Sequence, residues 1–218
     1  MGGLSFYPFG VKTNFYIDGF NLYYGAVKGT PYKWLDPSAL FALMFRGHQI
    51  NKIRYFTAPI VPRASDPGQP QRQQMYIRAL ETIPNLSVHY GVFLVNKIMM
   101  PLVIPPVGGP ITVEVWKTEE KGSDVNLATY LLLDAIDGDF EQAVVVSNDS
   151  DLVLPIQMVQ QRFRLPVGVL NPHRGRPQAQ LNAVASFYRQ IRQGPLSASQ
   201  FAPVLHDAHG AITKPASW

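Results

Sequence analysis

Ala143–Asp151 reads AVVVSNDSD: four apolar residues, three of them β-branched, run into a polar cluster ending in two aspartates one residue apart. A short apolar run bounded by Ser, Asn and Asp has the signature of a strand buried on both faces, as in the middle of a parallel sheet. Asp149 and Asp151 then stand at its carboxyl end, the edge where ligands bind in open α/β sheets. A plainer role is equally open to them, because Asp and Ser are preferred caps of a following helix.

The same arrangement occurs upstream. Asn14–Ile17 is a short apolar strand that breaks at Asp18-Gly19, with Asn21 three residues after the aspartate. A sharp turn at Gly19 would let Asp18 and Asn21 face one point above the sheet. Asp36-Pro37 is a helix start, an N-cap followed by proline at the first helical position, and Gly47 closes that helix. Asn51–Ala58 reads as a strand opening into the Pro-rich loop TAPIVPRASDPGQPQ, which carries Arg63 and is followed directly by Arg72. Pro70 begins a helix to about Ile83, and Leu86–Val92 is a third strand. The apolar, Pro/Gly-rich residues 93–117 suggest a β-hairpin extension, whose Met99 and Met100 are either a partner surface or packing.

Downstream, EEKGSDVNLATYLLLDAIDG (Glu119–Gly138) predicts a helix. Ser123 caps it, Asp124 lies in its first turn, and Val125, Ala128, Leu132 and Ile136 form the apolar stripe. Asp134 and Asp137 read as solvent-facing or turn residues, and Lys121 sits beside the acids. A further helix begins near Pro155, Val167–Leu170 is a last strand, and the basic loop NPHRGRP supplies Arg174 and Arg176. Gln178–Ile191 reads as a final helix, and residues 194–218 as a surface tail after a single domain over 1–193. His173, His206 and His209 show no metal-ligand spacing.

Strands alternating with helices imply a mainly parallel sheet with right-handed crossovers, an α/β class fold. On it Asp18, Asp124, Asp149 and Asp151 converge. At about 5 Å and an effective dielectric of about 20, each like pair repels by roughly 3 kcal/mol, so the cluster needs a cation or a bound proton. Oxygen ligands with room for water favour Mg²⁺ or Mn²⁺.

Composition sets the outer bounds. The 218 residues are 46% hydrophobic with a mean hydropathy of −0.01, enough for one sizeable core. Nineteen Lys and Arg against 15 Asp and Glu leave +4 and a pI near 9.3, which suits a polyanionic partner. With no cysteine, thiol catalysis, disulfides and thiolate metal sites are excluded. MGGLSFYPFG lacks the basic and apolar regions of a secretory signal, Phe6 occupies the Ser/Thr position of a myristoylation motif, and no run suits a membrane span, so the expected location is cytoplasmic.

Three motifs, YIDGFN at Tyr16–Asn21, EKGSDV at Glu120–Val125 and SNDSDL at Ser147–Leu152, resemble the NYN domain proteins. These are a branch of the PIN-like ribonucleases that includes the bacterial LabA-like group, and the likeness spans about residues 12–190. It implies a three-layer α/β/α sandwich and a metal-dependent endoribonuclease. The implied metal ligands are Asp18, Asp124, Asp149 and Asp151, assisted by Asn21. Lys121, Arg63, Arg72, Arg174 and Arg176 would contact RNA; the hairpin is a departure from the family pattern or an elaboration of it, and would serve a protein partner or homo-oligomer. Other classes compete: a non-catalytic RNA-binding module of this fold, a DNA nuclease, or a Mg-dependent phosphatase. A dehalogenase-like phosphatase wants a second Asp two residues after the first, where this chain has Phe20.

Overall fold

The computed structural model describes residues 10–62, 65–175 and 177–218. In chain order, β1 (Val11–Asp18) leads into α1 (Gly19–Leu22) and a π-helical turn (Tyr23–Val27), then α2 (Pro37–Met44), β2 (His48–Thr57), α3 (Gln69–Glu81) and β3 (Leu86–Tyr90). A hairpin, β4 (Val92–Pro101) and β5 (Thr112–Lys121), precedes α4 (Ser123–Ile136), β6 (Gln142–Val146), a 3₁₀ turn (Ser150–Leu152), α5 (Val153–Phe163) and β7 (Val167–Asn171). The chain finishes with α6 (Ala179–Val184), β8 (Tyr188–Gln190), α7 (Gln193–Ala198) and the hairpin β9 (Val204–Asp207) and β10 (Gly210–Thr213).

Six strands form one wholly parallel sheet in the order β3-β2-β1-β6-β7-β8. The chain winds outward from β1 to β3, then returns to β1's other side and winds the opposite way. That reversal leaves a crevice between the carboxyl ends of β1 and β6, the point where such sheets bind ligands.

Side-chain alternation divides the interior into two cores, one on each face of the sheet. Phe15, Ile17, Val144 and Val146 pack with Leu40 and Phe41 of α2 and Leu80 of α3. Tyr16, Ala143, Val145, Val167 and Val169 pack with Leu127 and Leu131 of α4, Ile156 and Val159 of α5 and Leu181 of α6. Each such buried Val, Leu, Ile or Phe contributes roughly 1.5–3 kcal/mol. The result is the three-layer α/β/α sandwich with an added hairpin.

Several local expectations require correction. The buried face of α4 comprises Ser123, Leu127, Leu131, Asp134 and Ala135, whereas Val125 and Ile136 are exposed. Asp134 is buried because Arg54 grips it with two 2.7 Å hydrogen bonds and the Tyr16 hydroxyl donates a third at 2.7 Å. Ser123 is the first residue of α4 and not its cap, the cap being Gly122 at φ 98°. The expected final helix is only α6, after which Ala185 turns extended and Tyr188–Gln190 pairs with β7 as the edge strand. Residues 194–218 are no loose tail either: Leu196, Phe201 and Ile212 are buried in the same core as Phe15, and Arg78 of α3 holds Asp207 through a 2.7 Å ion pair. The hairpin is longer than expected, pairing without a break from Val92↔Lys121 to Pro101↔Thr112. Among the described residues no helix is long and apolar enough to cross a membrane.

Candidate functional site

Asp18 is the last residue of β1 and Asp149 follows β6, so the reversal of winding brings both to one crevice. Asp18 is almost fully buried. One of its oxygens accepts the Asn21 N–H at 2.9 Å and the other accepts the Ser147 hydroxyl at 3.0 Å. Ser147 in turn accepts the Asp149 N–H at 3.1 Å, so a single hydroxyl links the two acid loops. Asp149 accepts the Asp151 N–H at 3.0 Å. Asp18 and Asp149 are therefore both N-caps and neighbours in one site.

Asp18, Asp124, Asp149, Glu120, Asn21 and His173 line one cleft of about 220 Å³. Glu120 and His173 were not anticipated as site residues. Glu120 reaches the cleft because β5 extends to Lys121, and its carboxylate accepts the Ser123 N–H at 3.1 Å at the start of α4. Gly91 makes this possible: a Cβ there would lie 2.4 Å from a Glu120 oxygen. His173 comes from the loop after β7, with Nε2 2.9 Å from the Asn21 side-chain oxygen. The only cue in the sequence was its position after an apolar strand, since nothing in its spacing marks it.

Other expected residues are placed differently. The Asn21 oxygen already accepts the Asn148 N–H at 3.0 Å, so Asn21 ties the loop after β6 to β1 instead of offering a free ligand. Gly19 does not turn at positive φ; a Cβ there would lie 2.7 Å from the Tyr55 ring, so glycine permits a close approach. Asp151 is exposed and lies outside the lining of the cleft, although its charge acts on Asp124. Lys121 points away, 3.8 Å from Glu119, and Arg72 pairs with Asp66. Arg174 is exposed on the loop after β7. Arg63 and Arg176 lie outside the described residues.

The electrostatics follow from crowding. Burial lifts the Asp124 carboxyl to about 7, and the charges of Asp18, Asp149, Glu120 and Asp151 add to the effect. Asp18 is raised as well, chiefly by burial; hydrogen bonds from Asn21 and Ser147 oppose the shift, while Asp149 and Glu120 reinforce it. Among the described residues no three His, Asp or Glu side chains close on one point as a finished metal cage. The donors are carboxylate oxygens around an open cleft, which fits a hard divalent ion that keeps most of its water and takes one or two carboxylates.

The family model of the NYN domain matches residues 12–191. The chain is 34% identical to 6-hydroxy-3-succinoylpyridine 3-monooxygenase HspA of Pseudomonas putida (strain DSM 28022 / S16), in an alignment covering 95% of this chain and 75% of the relative. Among solved structures, a protein of unknown function from Vibrio parahaemolyticus RIMD 2210633 aligns at a TM-score of 0.54 and 17% identity, over 92% of this chain and 100% of that one. The second likeness speaks for the fold alone. With the motif residues gathered at the point where the sheet reverses, and with the family match running from β1 to the end of β8, this chain belongs to the NYN domain family, a branch of the PIN-like nuclease superfamily.

Proposed function

We propose that the protein is a metal-dependent endoribonuclease, with Mg²⁺ or Mn²⁺ held in the acidic cleft. The observation that carries this reading is the gathering of Asp18, Asp124, Asp149 and Glu120 in one cleft with Asp124 lifted to about 7, a cluster whose repulsion a divalent ion relieves. Asp18 and Asp149 would hold the ion, with Asp124 and Glu120 binding its water and Asp151 contributing charge from the rim. When bound, such an ion polarises a phosphate oxygen and lowers the pKa of water for in-line attack. The chain's own residues do the rest. Ser147 and Asn21 fix the two acid loops relative to each other, and Asp124 gives up its proton as positive charge enters.

The loops after β2 and β7 lie on the same edge of the sheet as the acids. Arg174, in the loop after β7, would hold the RNA backbone by contacts that add affinity without reading sequence. Arg72 and Lys121 would join them only by leaving their carboxylate partners.

The test is cleavage of single-stranded RNA, structured RNA and single-stranded DNA with Mg²⁺ or Mn²⁺ against EDTA. Metal-dependent cutting of RNA is expected. RNA binding without cutting in either metal would leave a non-catalytic module, and cutting of DNA alone would reassign the substrate. A second reading is favoured by the similarity to HspA, a monooxygenase acting on a pyridine. Oxygen uptake with a pyridine substrate and a reductant distinguishes it, because phosphodiester hydrolysis consumes no oxygen.

A further inference from the structure

A second cavity, of about 370 Å³, adjoins the acidic cleft and shares Phe20 and Tyr24 with it as a common wall. Its size falls in the range of small-molecule sites, at the end suited to one ring system with a short substituent. The walls are aromatic: Tyr23, Tyr24, Tyr55 and Tyr76 face it from the π-helical turn, β2 and α3. Several of the groups that frame it are fixed. The Tyr76 hydroxyl donates to the Leu35 carbonyl at 2.8 Å, and Gln73 bridges the end of β2, donating to the Ala58 carbonyl at 2.9 Å and accepting the Ile60 N–H at 3.0 Å.

Tyr55 is the exception. Its side chain is buried, yet its hydroxyl makes no hydrogen bond with any described residue, although the ring borders the cavity. The phenol carries its proton at neutral pH, so the hydroxyl is a donor that no described residue accepts. The hydroxyl is not sealed in the core but borders the cavity, where it is open to water or to the acceptor atom of a ligand. The charge balance points the same way. Lys33 and Arg72 border the cavity; its one side-chain carboxylate, Asp66, neutralises Arg72, and Lys33, whose ammonium lies 3.5 Å from the Ser217 carbonyl oxygen, has no carboxylate partner among the described residues.

We infer that this cavity is a binding site for a planar heteroaromatic ring carrying one anionic group, the ring lying among the tyrosines and an acceptor atom completing the Tyr55 hydroxyl. Aromatic walls select flatness, and the excess of cations selects the acid. The site stands apart from the nuclease reading. Its ligand is either a free ring acid or the base and phosphate of a nucleotide.

Titration calorimetry on the whole protein in EDTA tests this, with pyridine-3-carboxylate and uridine 5′-monophosphate as probes and acetate and neutral pyridine as controls. At least one ring anion is expected to bind with a Kd of about 1 mM or tighter, and both controls much more weakly. Binding of the ring acid alone identifies a free small molecule as the ligand, and binding of the nucleotide identifies a nucleotide source. Tyr55→Phe keeps the ring, removes a hydroxyl without a protein partner and leaves the melt of the protein unchanged. It should weaken the ring anion roughly five- to tenfold, and Arg72→Gln should weaken it while sparing the neutral ring. Absence of binding by both ring anions, or equal binding by Tyr55→Phe, would overturn the assignment.

Discussion

Asp36 and Asp149 make the same local bond in different company. Asp36 accepts the Ala39 N–H at 3.0 Å at the start of α2, whose Phe41 stacks on Phe15 at 3.9 Å between ring centroids. Asp149 accepts the Asp151 N–H at 3.0 Å, but lines a cleft with other carboxylates. Asp36→Ala should therefore lower stability by about 0.5–2 kcal/mol while leaving metal-dependent cleavage intact. Asp149→Asn keeps an acceptor for Asp151 and removes a repelling charge. In EDTA it should melt at or above the parent temperature, gain less from added Mg²⁺ and lose cleavage. Melts in EDTA and in Mg²⁺ beside a nuclease assay check both variants. An Asp149→Asn protein that melts well below the parent yet still cuts RNA would make that residue a cap only. The acids themselves were legible because each follows or begins a strongly patterned element. Glu120 and His173 were not, since their arrival depends on the hairpin register and on the loop after β7, which only tertiary structure sets.

At the scale of elements, strands and helices with a clear period were readable and those without one were not. The chain at Tyr130–Ile136, YLLLDAI, is apolar nearly all round, so periodicity alone does not choose the buried face of α4. The choice falls to Arg54, which draws Asp134 inward. Tyr188–Gln190 is a strand because β7 offers a free edge, a fact absent from its own three residues. The β4–β5 hairpin divides functionally along its length. Its base carries Glu120 into the cleft and seats Phe93 against Phe20 at 5.6 Å between ring centroids. Its far end stands in solvent, with Val103 99% and Ile104 86% exposed. Replacing residues 97–116 by a short turn should shift the melting temperature by less than about 3 °C and leave metal binding unchanged. A large loss of stability, read by circular dichroism, would show that the arm is part of the folded body.

The whole molecule reads as a stable sandwich built around an unstable site. Two cores hold the sheet from both faces, and the reversal of winding at β1 and β6 forces carboxylates together at its edge. The pH dependence follows in sign. A carboxyl raised in the folded state binds its proton more tightly there than in the unfolded chain, so Asp18 and Asp124 withdraw stability from the metal-free protein as pH rises from about 4, against the gain up to about 6.5 from His48 and His89, whose pKa values burial lowers. The Asp124 contribution to that loss ends once pH passes about 7. A bound divalent ion reverses the preference and expels the proton. The most direct measurement of the central claim is calorimetric titration of Mn²⁺ at pH 6 and pH 8, in buffers of different ionisation enthalpy. Proton release on binding at pH 6, little release and tighter binding at pH 8, and loss of binding in the Asp18→Asn, Asp149→Asn double variant are the expected results. Equal affinity in that variant, or binding without proton release at pH 6, would contradict a metal-holding acidic cleft.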